Sequence, residues 1–302
     1  MKALRILAVG VSLLCSLAAA QQPDWCKKLP RPEYRKLERV AEPDSWFEVY
    51  KIRPGIFAIY EPHQLEEAIS YLIIGDRKAL LFDTGMGISN IQTVAKRLTD
   101  RPISVLNSHT HNDHVGDNWR FTDIYGMDTD FTRANARGSR DDAQAELAPG
   151  ELCGSLPPGF DAKAYSTKPF HISHWMHDGD KIDLGGRTLQ IIAAPGHTPD
   201  AIALLDSQNG LLFTGDSFYN GPIYLYRPET DLDAYLASMK KLAALTPRLQ
   251  SLLPSHNVPV ADPAYLAKVV AAMEKVRHGE VKPITNDGKH EYVFEGFSFL
   301  MQ

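Results

Sequence analysis

Beyond residue 46 the chain carries four short apolar runs, "FEVYKI" (47–52), "IFAIYE" (56–61), "SYLIIG" (70–75) and "KALLFDT" (78–84), separated by Pro-Gly and Gly-Asp punctuation. Runs of that length between turn residues predict strands. The next segment, "ISNIQTVAKRLTD" (88–100), spaces its apolar residues as a helix does, and "ISVLNS" (103–108) reads as a further strand. Residues 119–170 are less regular: "TDFTRANARGSRDDAQAELA" (129–148) is helix-like and "GELCGSLPPGF" (150–160) is loop. Strand patterning resumes in "DKIDLGGRTLQIIAAPG" (180–196) and "AIALLDSQNGLLFTGD" (201–216), which turn at Gly-Gly and Asn-Gly. Two amphipathic helices, "DLDAYLASMKKLAAL" (231–245) and "PAYLAKVVAAMEKVRHG" (263–279), flank the strand "RLQSLLPS" (248–255). "EYVFEGFSFL" (291–300) closes the chain as a strand. Strands and helices thus alternate in two successive halves. That pattern predicts an α+β protein built as an αββα sandwich, two mixed β-sheets packed face to face with helices on both outer faces.

Composition adds bounds. The chain has 302 residues, 44% hydrophobic and 23% charged, an ordinary globular balance with length enough for one large domain. Its net charge is -5 and it has no Lys/Arg run, which excludes a phosphate-backbone partner; no nucleic acid is expected. The first residues, "MKALRILAVGVSLLCSLAAAQ", set Lys2 and Arg5 before an apolar run from Ile6 to Leu17 and a small-residue site at Ala18-Ala19-Ala20. That run is shorter than the ~20 residues of a membrane span and reads as a cleaved signal peptide. The expected organisation is a signal peptide over 1–20, a Pro- and charge-rich N-terminal arm over 21–46, and a catalytic domain over 47–302. The product would be exported, periplasmic or secreted, with no stable membrane insertion after cleavage. Cleavage removes Cys15 and leaves Cys26 and Cys153, an even count that permits one disulfide between the arm and a central loop.

The densest chemistry lies in "NSHTHNDHVGDN" (107–118), where His109, His111, Asp113 and His114 follow the spacing H-x-H-x-D-H. Adjacent imidazolium groups repel, whereas neutral imidazoles converge on a metal. Distant partners stand in tight turns after apolar runs: His197 in "IIAAPGHTPDA", Asp216 in "LLFTGDSF" and His256 in "SLLPSHNVP". Loops at one rim of a sandwich would present ligands in this way. The donor set is rich in imidazole, holds two carboxylates and lacks thiolate, a mix suited to zinc.

These stretches resemble the marker motifs of the metallo-β-lactamase fold superfamily, which appear here as "DTG" (Asp83), "HTHNDH" (109–114), "GHTPD" (His197), "TGD" (Asp216) and "SHN" (His256). The resemblance covers the chain from about Phe47 to Gln302. It implies two zinc ions per chain, the first on His109, His111 and His197, the second on Asp113, His114 and His256, with Asp216 bridging. It also implies that Asp83 orients a ligand by hydrogen bonding without binding metal. Diiron members carry glutamate at the second cluster position, which here is His111, so an oxidase is not expected. Two metals about 3.5–4 Å apart can share a hydroxide that attacks a carbonyl, and Asp113 is the expected catalytic residue, accepting or orienting its proton. No G-x-S-x-G occurs.

The small-molecule substrate is expected to be a carboxylic ester, thioester or lactone, with glyoxalase II, lactonases and thioesterases as the nearest branch. The alternative is a β-lactamase, but the histidine-rich subclass lacks the bridging aspartate that Asp216 retains. A non-catalytic zinc protein on the same fold is a third reading, disfavoured by the intact ligand set. Tyr219, Tyr224 and His63 are candidate substrate contacts, the last on a flap. Phe218 and Tyr226 read as packing, and His171, His174 and His177 as surface or pocket-wall residues.

Overall fold

The computed structural model describes residues 22–286 and 288–302, so the expected signal peptide lies outside the described residues. The first sheet takes β1 (Glu38–Val40), β2 (Glu48–Arg53), β3 (Ile56–Tyr60), β4 (Ile69–Ile74), β5 (Ala79–Phe82), β6 (Ile103–Leu106), β7 (Ile124–Met127) and β8 (His174–Met176), in that spatial order. Strands β1 to β5 form an antiparallel meander, and β5 to β8 are parallel. The chain then builds β9 (Lys181–Asp183), β10 (Thr188–Ala193), β11 (Ile202–Asp206) and β12 (Leu211–Gly215). It sends β13 (Pro222–Leu225) to a third sheet and returns as β14 (Ser251–Pro254), parallel to β12 at the edge of the second. Three further strands, β15 (Ile284–Asn286), β16 (Lys289–Phe294) and β17 (Phe297–Met301), complete the third sheet, in which β17 pairs in parallel with β13.

Helices cover the outer faces as the pattern predicts. α1 (Ile91–Leu98) starts at Asn90, whose side chain accepts from Thr93 N, and buries Ile91, Val94 and Ala95 against the first sheet. One helical turn, α2 (Asn112–Val115), lies in the histidine cluster, and two short pieces follow, α3 (Asp130–Asn135) and α4 (Asp141–Ala145). On the far side, α5 (Leu232–Ala243) and α6 (Ala264–Arg277) pack Tyr235, Met239, Leu266 and Val269 onto the second and third sheets. Between the two large sheets, Phe213 of β12 meets Tyr71 and Phe82 edge-on, with centroids 5.2 and 5.8 Å away. Both faces of β12 are covered, which is why its apolar run does not alternate.

Three departures from the sequence pattern have local causes. The closing "EYVFEGFSFL" is a hairpin, because Glu295-Gly296 turns the chain with Gly296 at φ 85°. The helix-like stretch 129–148 is broken into α3 and α4 by Gly138 at φ 78°. The arm is no free extension: two 3₁₀ turns, Asp24–Lys28 and Pro32–Lys36, lead into β1, and Cys26 is joined to Cys153 by a disulfide.

Candidate metal centre

Five strands deliver their following residues to one rim. β5 and β6 are parallel, and β10, β12 and β14 run alike in the second sheet. Directly after them come Asp83, the 109–114 cluster, His197, Asp216 and His256. The sheets meet at Ser108, whose carbonyl accepts from Ile202 N at 2.8 Å. Gly215, at φ 50°, passes so close that a Cβ there would lie 2.5 Å from Ser108 Cβ. Only glycine permits this approach, and it brings Asp216 under the cluster.

The seven candidate ligands converge in two sets that share Asp216. His109 Nε2 and His111 Nδ1 are 3.0 Å apart, and His197 Nε2 is 3.2 Å from His111 Nδ1. In the second set, His114 Nε2 lies 3.1 Å from Asp113 Oδ2 and 3.2 Å from His256 Nε2. Asp216 turns one oxygen to each: Oδ2 is 3.6 Å from His197 Nε2, and Oδ1 is 3.0 Å from His256 Nε2 and 3.4 Å from His114 Nε2. Three ligand groups with donor atoms within 4.8 Å of one another result: His109, His111 and His197; His109, His114 and Asp216; Asp113, His114 and His256. All seven are residues that the sequence singled out.

Outward acceptors place a ring proton away from the centre at four of the five histidines, and a hydroxyl faces the fifth, His109. His197 Nδ1 donates to Tyr224 O at 2.8 Å, and His256 Nδ1 to Glu66 O at 2.7 Å. His114 Nδ1 faces Asp83 Oδ2 at 3.0 Å, His109 Nδ1 faces Ser108 Oγ at 3.1 Å, and His111 Nε2 faces Glu229 Oε1 at 2.8 Å. With the proton outside, each inward nitrogen presents a lone pair. Lone pairs 3.0–3.2 Å apart repel unless a cation or a proton lies between them. Asp216 Oδ1 adds a second sign: it is buried and makes no hydrogen bond among the described residues. These residues therefore fit metal ions.

Charge divides the centre. Burial, reinforced by His114 and the other neighbouring imidazoles, holds His109 well below the ordinary histidine range. Burial likewise lowers His197 to about 4, against the pull of Asp216. Burial acts the same way on His256, but the Asp216 carboxylate outweighs it and raises the group to about 9. His114 is raised too, since Asp113, Asp83 and Asp216 overcome its desolvation. Burial thus disfavours charge on His109 and His197, whereas the second set attracts a positive charge.

Asp83 accepts from His114 Nδ1, Ser255 Oγ (2.9 Å) and Ser108 N (2.7 Å). It adopts φ 66°; the other non-glycine residues with left-handed φ among those described are Glu67 (46°) and Asn257 (65°). Such backbone costs roughly 1–3 kcal/mol each and persists where surroundings enforce it. All three adjoin the second set.

Other expectations fare differently. His63 is no flap residue over the ligands: Nδ1 is held by Cys153 O at 3.0 Å and Nε2 by Ser45 O at 3.1 Å, beside the disulfide. Tyr219 spends its hydroxyl on Pro222 O and Tyr224 N, and its ring packs on His256, so it supports the ligand from behind. Tyr224 contributes its carbonyl to His197, while its side chain is half-buried. Phe218 is buried packing, Tyr226 lies tilted against Tyr224, and His171, His174 and His177 are exposed, outside the metal groups.

Sequence reasoning missed Glu229, although it stands only three residues after Tyr226. It also missed Asp200 in "GHTPD", a buried carboxylate that accepts from Thr110, Thr132 and Thr198 and so holds the cluster loop. Glu146 at the mouth accepts from Asn112 Nδ2 and Gln64 Nε2; burial and then the charge of Asp113 push it up to about 7. A cavity of about 330 Å3 opens beside His111, lined by Val115, Phe131, Asn135, Arg227 and Glu229 among others.

Residues 68–278 match the profile of the Metallo-beta-lactamase superfamily. The chain is 27% identical over 225 residues to the acyl-coenzyme A thioesterase MBLAC2 of Gallus gallus, covering 70% of this chain and 81% of that protein. Among solved structures it resembles a metallo-beta-lactamase family protein from Thermus thermophilus (TM-score 0.58, 20% identity, 76% and 82% covered). It also resembles the metallo-beta-lactamase from Pontibacter korlensis (TM-score 0.56, 16% identity, 76% and 99% covered). At those identities the solved structures bear on the fold.

Proposed function

The chain belongs to the metallo-β-lactamase superfamily and is a hydrolase of that fold, and from this premise we propose that it is an exported dizinc enzyme cleaving an acyl bond. The bond is a carboxylic ester, thioester or lactone, with the thioester favoured by the activity in the name of the Gallus gallus relative. The observation that carries the reading is Asp216, whose two oxygens face the two histidine sets. Metal ions bound there supply Lewis acidity that polarises a carbonyl and brings the pKa of water towards neutrality. His109, His111 and His197 hold the first ion and Asp113, His114 and His256 the second. Asp113 also orients or accepts a proton from the attacking water. The cavity beside His111 suits the acyl substrate: Val115 and Phe131 offer apolar wall, and exposed Arg227 offers a cation to an anionic leaving portion. The Cys26–Cys153 disulfide supports export, since such bonds persist in oxidising compartments. In this proposal residues 1–20 are removed, 21–46 form the arm and 47–302 the catalytic domain.

A substrate panel tests it: acyl-coenzyme A and other thioesters, p-nitrophenyl esters, acyl-homoserine lactones and nitrocefin at equal enzyme concentration, with metal content measured alongside. Two zinc per chain and turnover of thioesters or esters above nitrocefin are expected. Fast turnover of nitrocefin alone would move the function to β-lactam hydrolysis, and absence of bound metal would overturn the site.

A further inference from the structure

The N-terminal arm reaches the metal centre through one side chain. Arg31, next to the Pro32–Lys36 turn, donates from Nε to Glu67 Oε2 at 2.7 Å and from Nη2 to Glu67 Oε1 at 2.5 Å. The same Nη2 reaches Asn257 Oδ1 at 2.6 Å. Glu67 is buried, and its Oε2 also accepts from Tyr60 OH. Both partners of Arg31 follow groups of the second set. Glu67 comes after Glu66, whose carbonyl takes the His256 Nδ1 proton, and Asn257 comes after His256 itself. The two turns are tied to each other by Asn257 N to Glu67 O (3.3 Å) and by the Ala68–His256 bridge. Both Glu67 and Asn257 hold left-handed backbone, which is uncommon outside glycine and for Glu67 especially so. A planar guanidinium that grips one carboxylate with two donors and an amide oxygen with a third contact fixes such a pair of turns as a unit.

We infer that Arg31 is a positioning residue for His256: it clamps the paired turns at Glu67 and Asn257 so that the imidazole and its Glu66 acceptor stay aligned. The second half of the metal centre is therefore completed by the arm, which lies outside the stretch 68–278 that matches the family. Charge alone would give the opposite sign, because removing a cation near the centre favours binding of another. Geometry and electrostatics are thus separable by the direction of one effect.

The inference rests on His256 being a metal ligand, and the test keeps the two claims apart. Purified mature protein, stripped of metal, is titrated with Zn(II) and with Co(II), following stoichiometry, affinity and the visible spectrum of each cobalt. The unmodified chain takes up two ions; fewer than two would overturn the metal reading itself. Arg31→Ala keeps the first ion at unchanged affinity and binds the second roughly 10–100-fold more weakly, as loss of an outer partner does, with an altered second-cobalt spectrum. Arg31→Lys, a point charge without the fork, falls between, and Arg35→Ala, exposed on the same arm, changes neither ion. Unchanged or tighter second-ion binding in Arg31→Ala overturns the inference. Should that variant not fold, Asn257→Gly decides: it deletes the gripped oxygen but keeps left-handed freedom, and wild-type affinity for both ions overturns the clamp.

Discussion

The two halves of the centre are built by different means. His109, His111 and His197 form an all-imidazole set in which burial holds His109 and His197 below the ordinary histidine range, and the outer partners of the three are a hydroxyl, a half-exposed carboxylate and a carbonyl. Asp113, His114 and His256 sit among buried carboxylates, beside every left-handed non-glycine residue described. The first half is a ready-made imidazole donor set. The second is held by charge and enforced backbone, so a bound cation replaces protons there and relieves the carboxylates.

The largest way to break this contrast is to remove what both halves share. Asp216→Ala should lower kcat by about 10³-fold or more, given that one stabilising donor alone is worth about 10²–10³, and should cut zinc content below two per chain by elemental analysis. Full activity would mean that the halves work independently. Next in size is pH. His256, raised to about 9 by Asp216, carries a proton below that pH when metal is absent, so an incoming ion must displace it. His114 is raised as well, so second-ion affinity should fall at least about 100-fold from pH 8 to pH 6, tenfold per unit for each proton displaced. His197, near 4, is neutral at both pH values and adds no pH dependence of its own, so first-ion affinity should fall less than second-ion affinity. Calorimetric titration at the two pH values checks both signs. Smaller effects come from the outer partners. Asp83→Asn, behind His114, should weaken the second ion by roughly 10–100-fold. Glu229→Gln, behind His111 and less enclosed, should weaken the first by less than about fivefold. Equal losses in the two variants would erase the distinction between the halves.

The sequence made the ligands legible because they are chemically rare and each follows an apolar run that stops abruptly. It made α1 and α5 legible because a capping side chain, Asn90 or Asp231, precedes helical spacing. What stayed hidden depends on pairing between distant segments. Nothing local to "GPIYLYR" says that β13 joins β17 to start a third sheet, since parallel pairing leaves no turn to read. The Glu-Gly dipeptide at 295–296 did carry the hairpin signal within "EYVFEGFSFL", but its flanks are so apolar that the run reads as continuous. His63 looked poised because it follows a Pro in a turn; only the disulfide and Ser45, far away in sequence, show where its ring is spent. Arg31 was one charge among many in the arm, and its value comes from two turns it meets in space.

The close passage of Gly215 over Ser108 also sets an order of events. The 109–114 cluster hangs from the first sheet, whereas His197, Asp216 and His256 arrive only when the second sheet has docked through that contact. Without that docking the cluster offers each ion two donors and no bridge, which holds it weakly. A complete donor set for either ion exists only after that docking, so the metal is chosen in the compartment where folding finishes, by the ions available there.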